Sequence, residues 1–105
     1  MDEASFGQII AEARRQAGLS QKQLAALVKK ENGAPISPQY LNDLEHDRRN
    51  PPSEHLIAQF ARALSLQQDY LMLAAGRIPR DVRDIGVAHP EVVEQAFRLF
   101  RRGRT

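Results

Sequence analysis

Leu19-Ser20-Gln21-Lys22-Gln23-Leu24-Ala25 and Ile36-Ser37-Pro38-Gln39-Tyr40-Leu41-Asn42-Asp43-Leu44-Glu45 are the two stretches on which the fold turns. Each opens with a serine placed to accept backbone N–H groups that a first helical turn leaves unpaired. Ser20-Gln21-Lys22-Gln23 spells an S-x-x-Q capping box, and Ser37 precedes a proline at the first helical position, where the missing N–H costs nothing. The second stretch offers only Leu41 and Leu44 to an interior, with Tyr40 beside them, and turns small polar side chains outward. Two successive helices of this kind, the second displaying a polar face, make the pattern of a helix-turn-helix.

Working outward, all five serines lie at or near the edge of a segment with helical apolar spacing. Ser5-Phe6-Gly7-Gln8 repeats the capping box, and Ser53 follows Pro51-Pro52. Ser65-Leu66-Gln67-Gln68 fits a box as well, yet Ser65 can equally close the preceding helix and leave Gln67 to open the next. The first helix carries Phe6, Ile9, Ile10, Ala13 and Ala17 on one face and stops at Gly18. The second places Leu24, Ala25, Leu27 and Val28 inward and is expected to run to about Asn32, before Gly33. The third ends in His46-Asp47-Arg48-Arg49-Asn50-Pro51-Pro52. A fourth offers Leu56, Ile57, Phe60, Ala61 and Leu64, and a fifth Tyr70, Leu71, Leu73 and Ala74 before Gly76.

Composition agrees with an all-α reading: 25 Ala and Leu stand against 12 Val, Ile and Thr. A chain of 105 residues fits one modest core, burying roughly 65% of the surface its unfolded form exposes. It contains no cysteine, which excludes a disulfide framework, a cysteine zinc site and a thiol nucleophile. The longest apolar run, Tyr70 to Ala75, falls far short of the roughly 20 residues that cross a bilayer, and the acidic start Asp2-Glu3 does not suit a signal peptide. The expectation is a soluble, cytoplasmic protein with no membrane segment. His46, His55 and His89 lack metal-box spacing, the six glycines form no phosphate loop, and no serine stands in a nucleophile elbow, so no enzyme, metal or cofactor is expected. The net charge of +2 is uneven, with eight Lys/Arg against nine Asp/Glu in residues 1–76 and seven against four in 77–105. So small an excess does not itself identify a polyanionic partner.

A helix fits the DNA major groove, where Gln or Asn can bond bidentately to adenine and Tyr or Pro can touch a thymine methyl. The two opening stretches, together with Arg48-Arg49-Asn50-Pro51-Pro52, resemble the Xre-type, lambda-repressor-like (Cro/cI-type) helix-turn-helix family of bacterial and phage regulators. The resemblance covers roughly residues 5–76. It implies a compact five-helix DNA-binding domain over 1–76, followed by a C-terminal helical extension over 77–105. It further implies a transcriptional regulator, expected to be a repressor, that binds double-stranded operator DNA as a homodimer with the third helix in the major groove.

Carried over by position, Gln21 resembles the family's phosphate anchor at the start of the second helix. Pro38, Gln39 and Asp43 fall where the family places base contacts, with Gln39 the foremost candidate; Ser37, Tyr40 and Asn42 flank them as further DNA-binding candidates, and Asn42 can face either a base or a phosphate. Asp43 departs from a comfortable pattern, since a carboxylate can only accept from base amino groups and is repelled by phosphate; an intrahelical or capping role fits it equally. Arg48 and Arg49 lie where the family grips the backbone, and surface solubility is their alternative. Arg14 and Glu45 match a partly buried salt bridge between the first and third helices, assigned to the fold. Lys29-Lys30-Glu31-Asn32-Gly33-Ala34-Pro35-Ile36 replaces the usual compact turn, and its lysines either reach a phosphate or are merely solvated.

Beyond Gly76, Pro79 is expected to open one or two helical turns with Val82 and Ile85 spaced to pack, and Gly86 to break them. His89-Pro90 opens a last helix with acids early and arginines late, an order suited to the helix dipole. Its apolar residues Val92, Val93, Ala96, Phe97, Leu99 and Phe100 make a face wider than one stripe. Val93, Phe97 and Phe100 are candidates for dimer contacts, for packing on the fifth helix, or for a protein partner held by residues 77–105. The last use would make the chain an antitoxin or interaction adaptor.

Overall fold

The structure, a computed structural model, describes residues 4–103. Its helices are α1 (Phe6–Gln16), α2 (Gln21–Leu27), α3 (Pro38–Glu45), α4 (Glu54–Leu64), α5 (Gln68–Ala74), α6 (Arg80–Ala88) and α7 (Pro90–Arg102). Among the described residues there is no strand, only an isolated antiparallel bridge between Lys29 and Pro35. No helix among these residues is long and apolar enough to cross a membrane.

Local chemistry sets most of the helix starts. The Gln8 N–H donates to Ser5 Oγ at 3.1 Å while Gln8 Oε1 accepts from the Ser5 N–H at 2.9 Å. The same reciprocal pair closes Ser20 with Gln23, at 3.0 and 2.8 Å. Ser37 Oγ accepts from the Tyr40 N–H and Ser53 Oγ from the Leu56 N–H. The boundary left open by sequence resolves in favour of Gln67: its Oε1 accepts from the Tyr70 N–H at 2.8 Å, whereas Ser65 closes α4 in the left-handed conformation at φ 55°.

The core is assembled from α1 to α5 and the loop after α2. Ile10, Leu24, Val28, Leu41, Leu44, Ile57, Phe60, Leu71 and Met72 are almost fully buried, and Phe6 meets Phe60 edge to face at 6.5 Å between ring centroids. Each such side chain contributes about 1.5–3 kcal/mol on leaving water. Contact between α1 and α3 depends on a glycine: a Cβ at Gly7 would lie 2.2 Å from the Leu44 carbonyl oxygen and 2.9 Å from that of Glu45. Ser5 Oγ donates to Asp47 Oδ2 at 2.7 Å, tying the start of α1 to the end of α3.

Several expectations are corrected. The second helix stops at Leu27, not near Asn32, because Val28 turns extended (φ −100°, ψ 111°). Val28 and Ile36 are both buried, and the Ile36 N–H donates to the Val28 carbonyl at 3.0 Å. The segment between them folds as a short hairpin-like loop, closed by the Lys30 N–H to the Ala34 carbonyl at 2.7 Å. A helix through Asn32 would pull Val28 out of this pairing. Leu27, expected inside, is 52% exposed. Ala17 is exposed as well. In α5 the inward residues are Leu71 and Met72, while Tyr70 and Leu73 face outward, Leu73 at 58% exposure. Gly86 does not break α6 but lies within it, and Pro79 stands just before its first turn. The last helix starts with Pro90 in its first turn, as expected.

No residue of α6 or α7 is buried. Their apolar faces, with Tyr70 and Leu73 of α5, border a groove of about 690 Å³ lined by Val82, Val93, Phe97 and Phe100 among others.

Candidate nucleic-acid interface

Leu41 and Leu44 fix α3 by sinking one face of it into the core, at 0% and 1% exposure. With a period of 3.6 residues the opposite face must turn outward. Pro38 and Gln39 are exposed there, and Tyr40, Asn42 and Asp43 are partly covered.

A buried ion pair locks this orientation. Arg14 of α1 grips Glu45 of α3 with two parallel bonds, Nε to Oε2 at 2.7 Å and Nη2 to Oε1 at 3.0 Å, and its Nη1 donates to the Leu19 carbonyl at 2.9 Å. Both side chains are mostly buried, at 13% and 3% exposure. The bond to Glu45 raises the Arg14 pKa, against a lowering by burial. Glu45 also accepts from Gln21 Nε2 at 2.9 Å, and the same nitrogen donates to Asn42 Oδ1 at 3.0 Å. Gln21, expected as a phosphate anchor, therefore spends both amide hydrogens on α3. What it leaves for an anion is the backbone N–H edge at the start of α2, with the exposed Lys22 beside it. The tie between Gln21 and Asn42 escaped the sequence reading, since nothing local joins residues 21 and 42.

Asp43 forms a second cluster. It accepts from Gln39 Nε2 at 3.0 Å, and Arg48 Nη1 and Arg49 Nε face it at 3.6 and 4.0 Å. The Arg49 guanidinium also lies over the Tyr40 ring, 5.4 Å from its centroid. Burial raises the Tyr40 pKa more than Arg49 lowers it, so the phenol stays protonated at neutral pH. Of the two roles open to Asp43, the intrahelical one is thus occupied in the free protein. The i, i+4 spacing of Gln39 and Asp43 was the signal that could have exposed it. Arg48 and Arg49 remain on the surface, each about 60% exposed.

The hairpin-like loop is fastened to α4 by the Lys29 N–H donating to Gln59 Oε1 at 3.2 Å and by His55 Nε2 donating to the Lys29 carbonyl at 2.9 Å. Lys29 Nζ turns back onto the Ala26 carbonyl at 2.6 Å. The loop therefore widens the turn between α2 and α3 while leaving the polar face of α3 open.

A family model for the helix-turn-helix domain matches residues 5–71. The chain belongs to the helix-turn-helix domain family. The match spans α1 to α4 and the first half of α5, and agrees with the Xre-type resemblance carried by residues 19–52. Membership suggests a DNA-binding regulator, with α2 and α3 as the helix-turn-helix proper. No curated protein matches the chain.

Proposed function

We propose that this helix-turn-helix protein is a sequence-specific double-stranded DNA-binding regulator that represses transcription as a dimer on a two-fold related operator. The observation that carries the reading is the outward polar face of α3, opposite Leu41 and Leu44 and locked by Arg14 and Glu45. In this reading residues 1–76 are the DNA-binding domain, in the compact five-helix lambda-repressor-like arrangement, and 77–105 are an extension. Gln39, with Pro38 and Tyr40 beside it, reads base edges in the major groove. Ser37 caps the reading helix, Asn42 holds Gln21 in register, and Arg48 and Arg49 grip phosphates beyond its end. The protein acts by occupying DNA and not as an enzyme. Selecting bound duplexes from a random pool tests this: the full chain should enrich one sequence, and Gln39→Ala with Tyr40→Ala should abolish the enrichment while the far-UV spectrum shows the helices retained. Equal binding to selected and scrambled duplexes would refute it.

The dimer places two copies of α3 about 34–36 Å apart, one turn of the duplex. Support comes from α7, none of whose residues is fully buried and whose Leu99 and Phe100 are 68% and 65% exposed. Its first turns carry Glu91 and Glu94 and its last turns Arg98, Arg101 and Arg102. Antiparallel pairing about an axis near Ala96 and Phe97 sets each acidic end against the partner's basic end and closes Val93 and Phe100 together. Phe97→Glu with Phe100→Glu should halve the sedimenting mass while the far-UV spectrum is retained. A full chain that sediments as a monomer at micromolar concentration removes the dimer.

The same exposed apolar face favours a second reading, an antitoxin or adaptor whose residues 77–105 hold a protein partner. It predicts DNA binding that survives Gln39→Ala together with partner loss on Phe97→Ala.

A further inference from the structure

Outside the recognition face, the described residues hold no cluster of three or more side chains that could ligate a metal ion. A shallow depression along the outer side of α1 has mixed polar walls and no unpaired buried group. The recognition face itself holds an arrangement that assigns a role to Asp43.

Asp43, as a carboxylate, only accepts hydrogen bonds, so the Gln39 amide must turn its nitrogen toward it, as the 3.0 Å contact has it. The reverse flip would set Oε1 of Gln39 against an oxygen of Asp43, acceptor against acceptor. Arg48 Nη1 faces the same Asp43 oxygen, Oδ1, at 3.6 Å, and Arg49 Nε faces Oδ2 at 4.0 Å. With only 19% of its side chain exposed, Asp43 is better placed to orient a neighbour than to reach a base.

One N–H and the carbonyl oxygen of the Gln39 amide have no partner among the described residues. Only one base edge meets both atoms at once, since cytosine offers an amino donor without an acceptor beside it on the same base. Adenine offers an amino donor beside an acceptor nitrogen, so it matches an outward carbonyl and N–H pair; guanine offers two acceptors and thymine an acceptor beside a methyl. A free glutamine can flip its amide and donate to guanine instead. Resting on the reading that α3 enters the major groove, we propose that Asp43 is a positioning residue that fixes the Gln39 amide with its carbonyl outward, and so makes this position select adenine over guanine.

The experiment takes the best duplex from the random-pool selection and measures the affinity of the full chain for each single base-pair change at fixed salt. A bidentate contact discriminates by about 5- to 150-fold, so the wild type should prefer adenine over guanine by at least about fivefold at one base pair of each half-site. Gln39→Ala should erase that preference. Asp43→Ala frees the amide and should reduce the preference to below about twofold at the same pair. Asp43→Asn, whose amide can accept or donate, should fall between. Both Asp43 variants should keep the wild-type far-UV spectrum and the wild-type preferences elsewhere. A gain in affinity shared by all duplexes is the expected effect of removing an anion near phosphates.

Adenine selection that persists in Asp43→Ala overturns the proposal. So does a loss that falls on a different base pair from the one lost in Gln39→Ala, because Asp43 would then read its own base. A wild type without any sequence preference would remove the duplex-reading function and this inference with it. Strong preference that is insensitive to Asp43 removes the inference alone.

Discussion

Arg14→Ala tests the device that aims the recognition helix. The substitution deletes three hydrogen bonds, two to Glu45 and one to the Leu19 carbonyl, and leaves Glu45, at 3% exposure, with Gln21 as its remaining donor. Stranding one member of a buried pair costs about 3–5 kcal/mol. The low end applies, because Gln21 still donates to the carboxylate and Arg14 keeps some contact with water. A loss of about 3 kcal/mol lowers the midpoint of a domain this size by about 12–24 °C, at about 4–8 °C per kcal/mol. Circular dichroism melts of the wild type and the variant read that shift directly. Arg14→Met combined with Glu45→Leu should recover much of the loss, since no unpaired charge is then buried and the added side chains fill the space. A fall of less than about 4 °C for Arg14→Ala would give the pair the worth of a surface salt bridge, and the claim that it locks α3 would be refuted.

Two further outcomes follow from named contacts. Gly7→Ala must push α1 away from the Leu44 and Glu45 carbonyls, and should cost about 1–3 kcal/mol or more as an overpacked contact, read as a lower melting midpoint; an unchanged midpoint would mean that the helices separate at no cost. Replacing Arg48 and Arg49 together by glutamine should flatten the dependence of log affinity on log salt by about 0.9 for each phosphate released; an unaltered slope would assign both arginines to holding Asp43 and Tyr40 alone.

The helix starts were legible because capping is local: Ser5, Ser20, Ser37 and Ser53 each bond a backbone N–H three residues on, within reach of any reading of adjacent residues. The same spacing misleads at Ser65, where the box motif is present but Gln67 caps instead. The side chains of α3 were placed on their face by periodicity, but their partners were not. Asp43 binds a residue on its own helix and could have been paired with Gln39 by spacing. Gln21 reaches Asn42 and Glu45 only because α2 and α3 are packed against each other.

Leu27 and Leu73 show the limit of periodicity. In helices of seven residues an apolar stripe can be drawn one position either way, and the packing of neighbouring helices decides which residue enters. The end of α2 has the same origin. Lys29-Lys30-Glu31-Asn32 could continue a helix, and only the joint burial of Val28 and Ile36, with Gln59 and His55 of α4 taking the Lys29 backbone, makes an extended loop the better state.

The order of the amino acids alone thus determined an all-helical chain, where most of its helices begin, and which helix carries a readable polar face, because these depend on bonds and periodicities spanning a few neighbours. Tertiary structure decided where α2 stops, which leucines are inside, and how Gln21, Asp43 and Arg14 are engaged. Those outcomes depend on groups far apart in the chain competing for the same buried space and the same hydrogen-bond partners, and that competition exists only after the helices have packed.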